Sequence, residues 1–230
     1  MNGRKTDSVI PIAPPLWQVL LVLVGLPAAY LANSLLPWSI GLFRRHDHAF
    51  FWRFWASICV LHWGSVALVV ILLKRAGRGL VDIGLALSPL KVAAMVGFPV
   101  VVGLALTFVR EDSHGPPSAP QLPATAGERL FWIFVSVTAG FCEELIYRGF
   151  SIRVLEGRAL GTWLAVAVAT LAFFFMHGPA IVIARATVLS SFLILYPLGL
   201  LFSALFLWRR SLVPGICLHA LIDVANIGGS

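Results

Sequence analysis

The most informative segment of this chain is Leu130-Phe-Trp-Ile-Phe-Val-Ser-Val-Thr-Ala-Gly-Phe-Cys-Glu-Glu-Leu-Ile-Tyr-Arg148. Its apolar residues have the composition of a membrane-spanning helix, yet the stretch ends with Glu143, Glu144 and Arg148. A charge near the centre of a transmembrane helix costs about 2.5–3.5 kcal/mol. Three charges in six residues are therefore expected to pair with one another or to perform chemistry. We look for the functional site around them.

The composition of the whole chain is that of an integral membrane protein. Of its 230 residues, 59% are hydrophobic and 12% are charged, and the mean hydropathy is +0.92. Soluble domains carry about 25% charged residues. The net charge is +7, but the basic residues form short clusters between apolar runs. Nucleic-acid binding needs one continuous basic surface, so membrane lipid is the expected partner and nucleic acid is excluded.

The hydropathy pattern predicts an all-α, polytopic membrane protein with about seven transmembrane helices. Since a span needs about 20 apolar residues, we place the spans at 16–37, 54–73, 89–109, 130–155, 160–177, 187–208 and 212–228. Pro27, Pro99 and Pro197 fall inside spans and predict kinks. The segment 79–87 is predicted to be a short interfacial helix.

The spans divide the chain into two helical halves. Residues 1–110 hold three N-terminal helices and the interfacial segment, residues 111–129 form a Pro-rich loop, and residues 130–230 form a four-helix core. More of the 17 Lys and Arg residues fall on the N-terminal side of the membrane than on the other side. This bias predicts a multi-pass protein of the cell inner membrane with a cytoplasmic N-terminus.

The first polar group of the core lies in the fourth span. Glu144 and Arg148 are four residues apart with the acid first, the order that favours an ion pair. On an α-helix Glu143 is rotated by about 100° from Glu144. We therefore expect the two acids to face different partners and Glu143 to point into a cavity. A paired staple between helices would explain Glu144 and Arg148, but not Glu143.

The other two polar groups contain histidines. If the fourth and fifth spans are antiparallel, Glu143 and His177 lie within about 7 Å of the same depth. His219 and Asp223 share a helix face, and Asn226 follows one turn later. Each group alone also fits a purely structural role. Together they supply the carboxylates and imidazoles that activate water and stabilise an oxyanion.

The three groups resemble the signature of the CAAX-protease and bacteriocin-processing (CPBP, or Abi) family of intramembrane endopeptidases. That signature is Glu-Glu-x-x-x-Arg, then Phe-x-x-x-His, then His-x-x-x-Asn or Asp. The matching segments are Glu143–Arg148, Phe173–His177 and His219–Asp223. The resemblance covers about residues 129–228 and implies a glutamate-type hydrolase in the membrane.

The resemblance also implies a role for each matching residue. Glu143 is the general base, His177 holds the attacking water, and His219 with Asp223 forms the oxyanion pair. The supporting residues are Glu144, Arg148, Phe173 and Asn226. Asp223 stands where the prenyl-protein proteases have Asn, and an ionised carboxylate cannot donate to an oxyanion. Either Asp223 is protonated, or it keeps His219 cationic so that the ring alone donates, with Asn226 as a further amide.

The expected substrate is a hydrophobic, prenylated or membrane-anchored peptide, and no cofactor is expected. A divalent metal such as zinc is the mechanistic alternative, bound by Glu143, His177 and His219 with Glu144 as base. Two other classes stay open: a non-catalytic membrane immunity or scaffold protein, and a proton-coupled transporter. The transporter predicts broken helices in both halves, whereas the polar groups lie in the back half. A rhomboid-type serine protease needs a Gly-x-Ser-x-Gly-like loop, which the sequence lacks.

Overall fold

The computed structural model describes residues 14–39, 48–109, 123, 125–178 and 187–225. Within these ranges the regular elements are helices and no strand occurs, which confirms the all-α prediction. The main helices are α1 (16–39), α2 (His48–Arg75), α3 (Pro89–Val109), α4 (Ala126–Gly157), α5 (Thr162–Met176), α6 (Val188–Arg209) and α7 (Val213–Ala225).

Five of these helices are long and apolar enough to cross a membrane. They are α1, α2, α3, α4 and α6, whereas α5 and α7 are shorter apolar helices. The chain is therefore a multi-pass membrane protein. The count of seven spans and the direction in which the chain crosses the membrane stay predictions.

Helix α4 is the centre of the molecule. It contacts each of the other six helices, and 72% of its most apolar window is buried, against 22% in α3 and in α6. Its first turn is fixed by a capping box, in which Thr125 Oγ1 accepts from the Glu128 backbone and Glu128 Oε2 accepts from the Thr125 backbone. This box explains why α4 begins at Ala126, ahead of the predicted start at 130. Residues 142–152 of α4 are all buried.

A glycine allows α4 and α7 to approach closely. A Cβ atom on Gly140 would lie 2.9 Å from the backbone nitrogen of Ala220 and 3.0 Å from the Ile216 carbonyl oxygen. Only a residue without a side chain fits there without a shift of one helix. The contact lies one turn before Glu143, and it brings that residue to the level of His219.

Three segments of the described ranges are π-helical. Two of them, Leu21–Gly25 and Ala93–Gly97, end two residues before Pro27 and Pro99, where the missing proline N–H disturbs the α-helical hydrogen bonds. The third, Glu144–Ile152, lies in α4 and contains no proline. Its hydrogen bonds skip one more residue than those of an α-helix, and such turns occur frequently at functional sites.

Some boundaries differ from the sequence predictions. Helix α2 begins at His48 rather than 54, because Phe50 and Phe54 are buried and stack at 5.4 Å. The predicted interfacial helix at 79–87 is a single 3-10 turn, Leu80–Ile83, whose last side chain is fully buried. Most of the predicted Pro-rich loop, and residue Asn226, lie outside the described residues.

Candidate active site

The carboxylate of Glu143 faces three imidazole rings from three helices. Its Oε1 lies 3.1 Å from Nε2 of His62 on α2. Its Oε2 lies 3.8 Å from Nε2 of His177 at the end of α5 and 3.7 Å from Nε2 of His219 on α7. The Glu143 side chain is 5% exposed. The structure thus joins a predicted acid and two predicted histidines, and it adds a histidine that the sequence analysis missed.

Glu144 contacts Arg148 and shares His219 with Glu143. Its Oε1 accepts from Nη1 of Arg148 at 3.0 Å, so the predicted ion pair is present. The same oxygen lies 3.0 Å from Nδ1 of His219. The expectation that Glu143 and Glu144 face different partners is therefore wrong for His219. An imidazole carries nitrogens on two edges, and this ring uses one edge for each acid.

Arg148 is held in an aromatic cage. Its Nη2 donates to the Gly199 carbonyl oxygen at 3.1 Å, and its guanidinium carbon lies 4.2 Å from the Phe173 ring centroid and 5.3 Å from that of Phe202. Cation–π contacts of this kind strengthen when water is excluded. Phe173, predicted as a supporting residue, therefore stabilises the charge that balances Glu144. Phe202 has the same role and was not predicted.

The contacts of His177 fix the position of its proton. Its Nδ1 lies 2.9 Å from the Phe173 carbonyl oxygen. A carbonyl oxygen only accepts hydrogen bonds, so Nδ1 carries a hydrogen and the Nε2 of a neutral ring presents its lone pair. That lone pair faces Glu143. The His177 side chain is 23% exposed, against 5% for His219, so His177 lies on the more accessible side of the carboxylate.

The ring of His219 is oriented in a similar way. Glu144 Oε1 already accepts from the Arg148 guanidinium, so it also acts as the acceptor here and Nδ1 of His219 donates. The opposite nitrogen, Nε2, lies 3.7 Å from Glu143 Oε2 and 3.7 Å from Asp223 Oδ2. The Phe202 ring stacks on the imidazole with centroids 4.7 Å apart and planes at 12°. A second proton on this ring would therefore sit between two carboxylates.

Asp223 lies at the edge of the cluster. Its side chain is 27% exposed, and its backbone carbonyl accepts from the Trp132 indole at 2.7 Å. This bond fixes the end of α7 against α4. Among the described side chains, Asp223 therefore contacts the site through His219, whose Nε2 lies 3.7 Å from Asp223 Oδ2.

The zinc alternative was tested against these distances. Ligand atoms around a tetrahedral zinc are about 3.4 Å apart, given bonds of about 2.0–2.1 Å. The Oε2–Nε2 separations of 3.7 and 3.8 Å are wider. In the described part of the chain, no group of three or more His, Cys, Asp or Glu side chains has the geometry of a metal site.

The bundle and the site together define a multi-pass helical membrane protein with a buried cluster of acids and imidazoles. The family model described as type II CAAX prenyl endopeptidase Rce1-like matches residues 125–225, which include α4 to α7. Residues 125–225 are thus similar to the CPBP family, as their motifs indicate. The family implies a peptidase with a peptide substrate in a lipid environment. Comparisons with curated proteins and with solved structures gave no match.

Proposed function

We propose that the protein is an intramembrane glutamic endopeptidase, which hydrolyses a peptide bond with a water molecule activated by Glu143. The observation that carries the proposal is the Glu143 carboxylate. It is buried, one oxygen is held by His62, and the other faces Nε2 of His177 and of His219 at less than 4 Å. An acid placed in this way can take a proton from a water held between the rings.

The spacing of these atoms supports a position for the water. A water oxygen about 2.8 Å from Glu143 Oε2 and from His177 Nε2 would bridge their 3.8 Å separation. Both atoms accept, so the water would donate one hydrogen to each and turn a lone pair towards the substrate. As the water oxygen bonds to the carbonyl carbon, Glu143 takes the proton. It then gives this proton to the leaving amine when the C–N bond breaks.

His219 is the proposed oxyanion donor. Its Nδ1–H is bound to Glu144, so donation by Nε2 requires the protonated ring. Glu143 and Asp223 both face Nε2, and their negative charge favours that form. Asp223 thus acts through the charge of the ring, whereas an Asn at this position would donate by itself. Arg148 holds Glu144 in place, so that the ring keeps its orientation.

The proposed substrate is a hydrophobic, prenylated or membrane-anchored peptide that reaches the site from the bilayer. The family match and the membrane-spanning helices support this class. We further propose a location in the cell inner membrane with the N-terminus in the cytoplasm, based on the Lys and Arg distribution. Terminal reporter fusions that respond to the compartment test the orientation, and an external N-terminus would contradict it.

The experiment uses the full chain in lipid nanodiscs with a farnesylated peptide whose C-terminal residues are released on cleavage. We expect cleavage by the wild type and none above background by E143Q. The matched control is E156Q, because Glu156 pairs with Arg210 at 3.1 Å outside the site. Equal cleavage by E143Q and wild type would refute the proposal. Binding without cleavage by both proteins would favour a non-catalytic scaffold.

Metal dependence is tested with the same assay. We propose that the reaction needs no metal, so wild type treated with a chelator and then dialysed is expected to keep its activity. Loss of activity that added zinc restores would favour the metalloprotease alternative, with Glu143, His177 and His219 as ligands. Metal analysis of the purified protein gives an independent readout.

A further inference from the structure

His62 lies outside the matched family domain, yet it makes the shortest contact of Glu143. It is on α2, 81 residues before Glu143 in the chain, and is 1% exposed. Its Nε2 lies 3.1 Å from Glu143 Oε1, whereas the nitrogens of the other two histidines are at 3.7 Å or more from Oε2. Of these three contacts, the His62 contact alone has the length of a direct hydrogen bond.

The environment of the His62 ring determines which way it acts. The ring packs against Tyr30 of α1, with centroids 5.4 Å apart, and Tyr30 is itself 2% exposed. Within the described ranges, Nδ1 of His62 has no hydrogen-bond partner. A buried N–H without an acceptor is unfavourable, so the ring proton belongs on Nε2. His62 therefore donates to Glu143.

We propose that His62 is a positioning residue of the protease, which fixes Glu143 Oε1 so that Oε2 faces His177 and His219. This inference rests on the proposed function. The role follows from the two oxygens of one rigid carboxylate: when Oε1 is held, the direction of Oε2 is set. The front half of the chain then contributes to the chemistry, because α2 supplies the donor and α1 supports its ring.

The alternative role for His62 is simple packing between α1, α2 and α4. The two roles predict opposite orders of activity for two variants. His62→Phe keeps a ring of similar size but has no donor, whereas His62→Gln loses the ring but has an amide N–H near the position of Nε2. A packing residue tolerates Phe better than Gln, and a donor tolerates Gln better than Phe.

The experiment measures kcat and KM of both variants for the farnesylated peptide in nanodiscs. We expect His62→Phe to lower kcat by about 10–100-fold with KM within about twofold of the wild type, since misplacing a reacting group by 1 Å has effects of this size. His62→Gln is expected to recover at least about tenfold of that loss. If His62→Phe does not fold, His62→Asn replaces it, because its shorter amide does not reach Oε1.

The control is Ser57→Ala on the same helix. It removes the Asn33–Ser57 hydrogen bond of 2.9 Å, which also joins α1 and α2, but it does not touch Glu143. We expect its kcat to stay within about twofold of the wild type. The positioning role would be overturned if His62→Phe or its replacement had the wild-type kcat, or if His62→Phe were more active than His62→Gln. Cleavage by the wild type would in that case still support the protease. Absence of cleavage by the wild type would overturn both.

Discussion

Glu143 and Glu144 are adjacent in the chain, but they lie in two regions of different chemistry. Glu144 is paired with a guanidinium and with one edge of His219. Among the described residues, the ion-pair partners of Glu143 are imidazoles. Oε2 of each acid lacks a hydrogen-bond partner there, but Oε2 of Glu143 lies within 3.8 Å of two further rings. In the proposed mechanism, Glu144 holds the His219 ring in place while Glu143 stays available for chemistry. The difference is made by Arg148 on α4 itself and by the histidines that the other helices bring to Glu143.

The largest difference between the two regions is expected when each acid is replaced by its amide. We expect E143Q to lower kcat by about 10²–10⁴-fold, the contribution of a general base, with little change in the unfolding temperature. E144Q should lower the unfolding temperature as well, because it leaves the guanidinium of Arg148 without its charge partner. Activity and thermal unfolding of both variants in nanodiscs measure this. If E143Q and E144Q had the same kcat and the same unfolding temperature, the two acids would be equivalent.

Removal of the cation tests the structural side of the comparison. R148L should destabilise the fold by about 3–5 kcal/mol, because it leaves a buried acid without its partner. The double variant E144L/R148L should regain most of that stability, since replacement of both charges by apolar groups is often neutral. The double variant should nevertheless be inactive, because Nδ1 of His219 loses its acceptor.

Reversible unfolding in mixed micelles gives the stabilities, and the peptide assay gives the activities. A double variant as unstable as R148L, or one with full activity, would contradict the division of roles between the two acids.

The approach of α4 to α7 keeps both acids on the same ring. G140A should destabilise the protein by about 1–3 kcal/mol, because the new Cβ overpacks against the α7 backbone. Activity should fall with it, as His219 moves away from α4. The matched control is G64A, at which a Cβ meets nothing within 4 Å. Equal unfolding temperatures of G140A and G64A would show that the close approach is not required.

The smallest effect is expected at the exposed edge of the Glu143 region. D223N should keep kcat within about tenfold of the wild type. The carboxylate beside His219 is lost, but the new amide can donate to the oxyanion directly. D223A offers neither charge nor amide and should lose about 10²-fold, as for a missing oxyanion donor. Steady-state kinetics on the peptide compare the two. A larger loss in D223N than in D223A would show that Asp223 works in another way.

Much of this architecture could be predicted from the sequence, because apolar runs report helices directly. The predicted spans at 89–109 and 187–208 agree with α3 and α6 within one residue. The Glu144–Arg148 pair follows from spacing on one helix. His62 was missed because a single histidine in an apolar run carries no information about the helix it will meet. The shared use of His219 depends on the rotation of a ring from α7, which the spacing within α4 does not contain.

The π-helical segment that starts at Glu144 has a consequence for how this helix can vary. A π turn accommodates one residue more than an α turn, so α4 is offset in register on the two sides of the segment. Loss of one residue between Leu145 and Ile152 would let a π turn close to an α turn, so the helix beyond the segment would keep its direction while residues within the segment change face. The chain length of this short segment therefore decides which face of α4 carries Arg148.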